Sequence, residues 1–320
     1  MISEIPAPKI SGFSLIRNGI LFDYPFEESI RSALPLVDEF VINVGKGTDA
    51  TLEKIDKLRA EPGGEKIKIF ESTWPLDDPE KKKGGLILSE QTNLALEKCQ
   101  YDWCLYLQAD EVLHEADLPN IRQALIENNS SESVDGLLFD YLHFYGSFDV
   151  IQESRSSYRR EVRVIRKSSG ARSIGDAQSF RKKDATKLSV RLCNARIFHY
   201  GWVRPPEAMK QKTYFMDQLY HGDPTLKNSV NETPYTGDNY RYKKFWGLRP
   251  FVGTHPNVMA LRIQNKGWHW DLKSSPWVWS IRDTKKVVLD LIEKFTGIRL
   301  FEYRSYILLK NFKKNGGAAK

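Results

Sequence analysis

Two adjacent carboxylates follow a short apolar run in the stretch CLYLQADEVLHE, residues 104–115. Cys104, Leu105, Tyr106 and Leu107 read as a buried strand, and Gln108, Ala109, Asp110 and Glu111 stand just past its carboxyl end. Acids in that position do one of two things. They cap and charge the first turn of a following short helix, or they hold a cation. A divalent cation carried on a nucleoside diphosphate needs only one or two protein carboxylates, because phosphate oxygens and water complete its coordination. The residues alone leave both readings open.

The elements that would position these acids are legible in the first hundred residues. Strand-like runs occur at Phe13–Ile16, Phe40–Val44, Ile67–Phe70 and Trp103–Leu107. Between them, Phe26, Ile30 and Ala33, then Leu52, Ile55 and Leu58, and then a segment around Leu88–Lys98, have helical spacing. Strands that are apolar throughout and alternate with helices predict an α/β fold, a mostly parallel sheet covered on both faces. Ligands of such sheets sit beyond the carboxyl ends of the strands, where GKGTD (45–49) and QADE (108–111) both lie. After Asp135 the pattern loosens. Strands are expected at Gly136–Tyr141, Glu161–Ile165 and Arg196–Tyr200, a helix over 207–220, long loops over 221–275 and a helix over 278–295 that stops at Gly297. A division into residues 1–205 and a helical, loop-rich region 206–320 follows.

Composition narrows the class. Apolar residues at 41% and charged residues at 28% describe a globular chain, and no apolar window approaches the ~20 residues of a membrane span. The first residues, MISEIPAPKISGF, have neither a basic start nor a long apolar run, so no cleaved secretion signal is expected. Cys99, Cys104 and Cys193 lack metal-type spacing and leave an odd thiol, which points to a reducing, cytoplasmic compartment. The net charge of +7, concentrated over 155–191 and in the tail, favours anionic partners.

The order FSLIRNG, SALPLVDEFVINVGKGTDAT and LSEQTNLALEKCQYDWCLYLQADEVL resembles the N-terminal half of a family 2 glycosyltransferase of the GT-A, Rossmann-like fold, over about residues 10–115. Asp38, Glu39, Thr48, Asp49, Asn93, Ala95, Asp110 and Glu111 fall at positions of that family's motifs, and Asp110 matches the second acid of D-x-D. Gln108 stands for the first acid, Val44 with Asn43 before it for the base-contacting Asp, Thr92 for an Arg, and Gly19 for the Glu after Asn18. The resemblance implies transfer of a sugar, with inversion, from a nucleotide-diphosphate donor to a glycan acceptor, a cell-surface polysaccharide or lipid-linked chain. It implies Mn2+ or Mg2+ on Asp110, and donor contacts from Asn18, Asn43, Asp49, Lys83, Asn93 and Gln108. Lys83 belongs to the KKKGG loop at 81–85, which also reads as a solvated loop.

Two further residues follow from the same likeness. In EVRVIRKSSGARSIGDAQSFRK, Asp176 occupies the stretch where such enzymes place the base that deprotonates the acceptor hydroxyl. An ordinary Gly-Asp turn is the other reading of Asp176, and Asp140 and Glu111 are substitute bases. In RIFHYGWVRPPEAMKQK, His199 resembles a late histidine ligand, and imidazole suits Mn2+ better than Mg2+. His143 and His269 lie in aromatic clusters that read as core. The tail GIRLFEYRSYILLKNFKK reads as a basic helix, either packed on the domain or lying on the inner face of a membrane. The rival classes are a nucleotidyltransferase, which would need a Gly-rich phosphate loop that RNGILFDY is not, and a catalytically inactive nucleotide-sugar or glycan-binding relative. No nucleic-acid-binding module and no G-x-G-x-x-G dinucleotide motif is found.

Overall fold

The computed structural model describes residues 7–222, 240–279 and 281–310. Its first half is the expected α/β unit. Strands β1 (Ile10–Ile16), β2 (Glu39–Gly45), β3 (Ile67–Ser72) and β4 (Trp103–Tyr106) run parallel in the order β4-β1-β2-β3. Helices α1 (Phe26–Ala33), α2 (Thr51–Leu58) and α3 (Leu86–Lys98) make the crossovers. Every residue of β1, β2 and β4 is buried, because helices cover both faces. Phe26, Ile30 and Ala33 of α1 pack with Phe40, Ile42 and Leu105 on one face, whereas Ala95 and Leu96 of α3 pack with Phe13, Val41 and Tyr106 on the other. Successive strand residues point to opposite faces, so each strand feeds both cores.

The second half turns the sheet mixed. It begins with β5 (Glu111–Leu113), α4 (Leu118–Asn128), β6 (Gly136–Tyr145) and β7 (Ser147–Gln152). Then come β8 (Arg160–Arg166), the hairpin β9 (Arg172–Ile174) and β10 (Ser179–Arg181), and the long β11 (Leu188–Trp202). Strand β8 runs antiparallel between β4 and β6, while β11 lies parallel to β6 and carries β5 antiparallel on its other side. The helix-cap reading of the two acids is thereby overturned. Glu111 opens a strand opposite His199, and the next α-helix starts only at Leu118.

After β11, α5 (Pro206–His221), β12 (Leu248–Pro250), α6 (Ala260–Gln264), α7 (Ile281–Thr296) and β13 (Tyr306–Leu308) complete the described chain. The expected helices over 207–220 and 278–295 are α5 and α7, and Gly297 follows α7 with φ +70°, a left-handed stop. Strand β12 pairs with β7 and β13 with β11, so the C-terminal region adds two strands to the same sheet. The tail is not the expected helix over its described part. Tyr306 is buried and Ile307 half-exposed, the two-residue alternation of a strand rather than a helical stripe. Lys313 and Lys314 lie outside the described residues.

Much of the positive charge in the basic stretch 155–191 is paired with acids. Arg160 pairs with Asp140, Arg163 with Glu111, Arg166 with Asp102, Arg172 with Glu97 and Lys182 with Asp135. Arg155 and Arg159 reach acids of α7. Among the described residues no helix is long and apolar enough to cross a membrane.

Candidate functional site

A cavity of about 560 Å3 opens at the carboxyl ends of β1 and β4, within the size range of small-molecule sites. Its floor comes from Leu15, Ile16 and Arg17 at the end of β1 and from Gln108, Ala109 and Asp110 after β4. His199 and Gly201 of β11 form one wall, Asp176, Ala177 and Gln178 another, and Met209, Lys212, Met216 and Tyr220 of α5 close it.

Asp110 is held by its own backbone, whose carbonyl accepts from the Tyr200 amide at 2.8 Å. Its carboxylate meets two cations. Lys212 Nζ donates to Oδ2 at 3.0 Å and the Arg204 guanidinium stands 3.5 Å away. Arg204 is fully buried; it donates to the carbonyls of Phe22 at 2.6 Å and Gly201 at 3.1 Å. Lys212 also donates to Gly201 at 2.9 Å, and both cations lie over the Tyr24 ring. A Cβ on Gly201 would come within 2.5 Å of the His199 ring, so only glycine admits this close convergence. Burial alone would raise the Asp110 pKa, but Lys212, His199 and Arg204 together hold it far below the ordinary carboxylate range. Burial and the nearby Arg204 push Lys212 down to about 8, against the pull of Asp110.

The histidines form a directional chain. The β6–β11 register sets His143 beside His199. The Tyr158 carbonyl can only accept, so His143 Nε2–H donates to it at 2.6 Å. Burial, then the neighbouring His199, lower His143 to about 3, and burial lowers His199 to about 4, so both rings are neutral at pH 7. Neutral His143 therefore accepts at Nδ1, and His199 Nδ1–H donates to it at 3.0 Å. That leaves the lone pair of His199 Nε2 in the cavity, 3.7 Å from Asp110 Oδ1. Two electron-rich atoms this close are suited to share a cation. A hard carboxylate and a borderline imidazole fit a Mn2+-type ion. Among the described residues no group of three or more His, Cys, Asp or Glu could hold a metal unaided, so a ligand's own oxygens would have to complete the set.

Glu111 is of another kind. It is wholly buried, takes two parallel 2.8 Å bonds from Arg163, and accepts from Tyr141 at 2.7 Å and the Gln108 amide at 3.1 Å. Every lone pair has a donor, and no face is left for a substrate. Asp140 is paired with Arg160 at 2.6 Å and lies outside the cavity wall. Neither substitute base is placed to act.

Of the residues singled out in the sequence, Asp110, His199, Asp176 and Gln108 line the cavity together. Asp176 sits in the expected turn and also lines the cavity. It accepts the Gln178 amide at 3.2 Å in a turn whose Ala177 has φ +61°, and its other oxygen, in the cavity, accepts the Tyr220 hydroxyl at 2.9 Å. Gln108 Nε2 donates to Ala177 at 3.4 Å. Asn18, Asn43, Asp49, Lys83 and Asn93 do not line the cavity. Asn18 accepts from the Thr48 amide, and Asp49 from the Leu21 amide and Thr51, tying the loops after β1 and β2 together. Asn43 bonds Gln91 and Ser72, and Asn93 clamps both backbone groups of Ser173. Lys83 is exposed and paired with Glu80. The residues that sequence reasoning missed are Lys212, Arg204, Tyr24 and the supporting role of His143. One signal existed: Met209, Lys212, Met216 and Tyr220, at steps of three, four and four, put a lysine in an otherwise apolar helical stripe.

No family model matches the chain, and no curated protein matches it. Several solved structures are similar to the chain. Residues 1–349 of S. aureus TarS are 15% identical with a TM-score of 0.35, over 70% of this chain and 67% of that one. The same fragment in complex with UDP gives 14% identity and a TM-score of 0.35, with the same shares. The mannosyltransferase PcManGT from Pyrobaculum calidifontis, in complex with GDP-Man and Mn2+, is 16% identical with a TM-score of 0.30 over 41% of this chain and 35% of that one. Scores this low give no weight to any account of what the cavity binds, which rests on its own side chains.

Proposed function

We propose that the chain is a metal-dependent, inverting glycosyltransferase that moves a sugar from a nucleotide-diphosphate donor to a glycan acceptor in polysaccharide assembly. The observation that carries this reading is the meeting of the Asp110 carboxylate and the free Nε2 lone pair of His199, 3.7 Å apart, in an open cavity. Asp110 and His199 would hold Mn2+ or Mg2+; when bound, such an ion acts as a Lewis acid on the departing diphosphate. The Lys212 ammonium and Arg204 guanidinium outnumber the one carboxylate they face. The surplus positive charge, fixed in a dry wall, favours an anionic ligand and stabilises growing negative charge. Gln108 contacts the donor beside them.

Asp176 is assigned as the base that takes the proton of the acceptor hydroxyl, with Tyr220 holding its orientation. Lys212 and Tyr220, which bond Asp110 and Asp176, stand eight residues apart on α5, about 12 Å along the axis. That spacing leaves room for a diphosphate at one end and the transferred sugar near the other. The three buried free thiols agree with a reducing, cytoplasmic setting.

The test is turnover of a panel of nucleotide sugars, read as released nucleoside diphosphate with and without Mn2+. One donor should be consumed only with metal, and Asp110→Asn should lose both binding and turnover. Asp176→Asn should keep donor binding and lose turnover by about 100-fold or more. Donor binding with no turnover of any sugar would instead fit a binding relative, for which the engagement of both Asp176 oxygens already offers a structural reason.

A further inference from the structure

Helix α7 is docked the wrong way round for an ordinary surface helix. An amphipathic helix normally buries its apolar stripe and shows its charges to water. Here the charged side is the one that packs. Asp290 accepts from Arg155 at 2.9 Å and from the Trp246 indole at 2.8 Å, and Glu293 accepts from Arg155 at 2.8 Å and Arg299 at 3.1 Å. Lys286 donates to Ser156 at 2.7 Å, and Arg155 also caps the Leu289 carbonyl. The opposite side carries Ile281, Val288, Leu291 and Phe295, and Ile298 extends it past the helix end; all are exposed, Ile281 by 89% and Phe295 by 83%. Steps of seven, three, four and three residues place them on one stripe. Phe301, 86% exposed, and Tyr303 follow, and the stacked, half-exposed Trp277 and Trp279 precede the helix. An apolar stripe of this kind, broken at the exposed Thr284, marks an interaction surface.

The charges around the stripe identify what covers it. The acids Asp283, Asp290 and Glu293 have side chains only 17–22% exposed, turned to the protein. Lys285 and Lys294 are exposed, one beside each edge of the stripe, and Lys294 also borders the pocket lined by Asp290 and Glu293. Aliphatic and aromatic side chains edged by lysine, with no acid turned outward among the described residues of the helix, match the composition of a helix lying in a lipid interface. Its apolar groups enter the acyl boundary while the lysine stems extend to the phosphates. A second copy of the chain fits worse, since pairing two such stripes sets lysines against lysines with no acid between them.

The geometry points to a membrane-docking face: α7 seats the protein on an anionic lipid surface through its outward stripe, independently of the catalytic reading. The test is flotation of the full chain with vesicles of phosphatidylcholine alone, or of phosphatidylcholine and phosphatidylglycerol in equal parts. The protein should float with the anionic vesicles only. Ile281→Ser/Phe295→Ser and, separately, Lys285→Glu/Lys294→Glu should each reduce partitioning at least about tenfold. Circular dichroism should show the fold unchanged, because these side chains face outward. Wild-type protein that fails to float overturns the proposal, as does flotation that survives both double variants, which would place binding in residues 311–320. A concentration-dependent dimer abolished by Phe295→Ser, without flotation, would assign the face to a second copy and overturn it equally.

Discussion

Asp110 and Glu111 are neighbours in the chain and both are buried, yet their surroundings are opposite in kind. Around Glu111 one guanidinium, one phenol and one amide use every acceptor site, and the charges of Glu111 and Arg163 cancel. Around Asp110 two cations face one carboxylate, a histidine lone pair is left unclaimed, and the cavity stays open. Burial does not tell the two acids apart. The balance of charge and the spare coordination do.

Four substitutions test that contrast, the last of them through a pH profile. The largest effect is expected from Glu111→Gln, which leaves Arg163 buried without a counter-charge. Urea denaturation should show a loss of about 3–5 kcal/mol. Asp110→Asn also leaves a buried guanidinium, Arg204, without its acid, but should be milder for the empty protein, because Arg204 keeps its bonds to the Phe22 and Gly201 carbonyls and Lys212, already pushed down to about 8, can release its proton. That variant should instead lose the metal-dependent stabilisation by nucleotide, about 2.7 kcal/mol at a hundred times the dissociation constant. If the two substitutions destabilise equally and neither alters ligand binding, the contrast fails.

His143→Phe comes next. It keeps a ring but removes the acceptor that fixes the His199 tautomer, so Mn2+ affinity should fall about 10–100-fold, read by electron paramagnetic resonance of free Mn2+. Stability around Glu111 should be little changed. The smallest effect concerns Glu161, a third buried carboxylate. It accepts only from neutral donors, Gln178 and Ser305, and burial raises its pKa, with Arg163 pulling the other way. A folded-state pKa above the ordinary 4.5 means that the native state binds the proton more tightly. The stability gained is present below 4.5 and lost as pH rises through the raised folded value. Wild type should therefore lose stability modestly on going upward from pH 4.5, and Glu161→Gln should not show that decline.

The parallel half of the fold was readable because its signals are local. Helices with apolar residues at Phe26, Ile30 and Ala33, and strands apolar on both sides, leave few alternatives. That Asp110, His199 and Asp176 come together around one cavity was also readable, through motif order. Their partners were not. Lys212 and Arg204 reach Asp110 from about a hundred positions away, and the His143–His199 contact depends on the parallel register of β6 and β11. Periodicity says nothing of such long-range pairing. Asn18, Asn43, Asp49 and Asn93 show the converse: polar residues at motif positions here tie loops and helices to one another. The tail misled because apolar and basic residues mixed over a short span serve an edge strand as well as a helix.

The measurement that bears most directly on the central claim is a thermal-shift panel. Uridine, guanosine, thymidine, cytidine and adenosine diphosphates would each be tested with Mn2+ and with chelator, on wild type, Asp110→Asn and Glu111→Gln. One nucleotide should raise the melting temperature of wild type by several degrees with metal only. Asp110→Asn should lose that rise, whereas Glu111→Gln, melting lower from the start, should keep it. A rise that ignores both metal and Asp110, or no rise with any nucleotide, would contradict the assignment of this cavity to a cation-borne diphosphate.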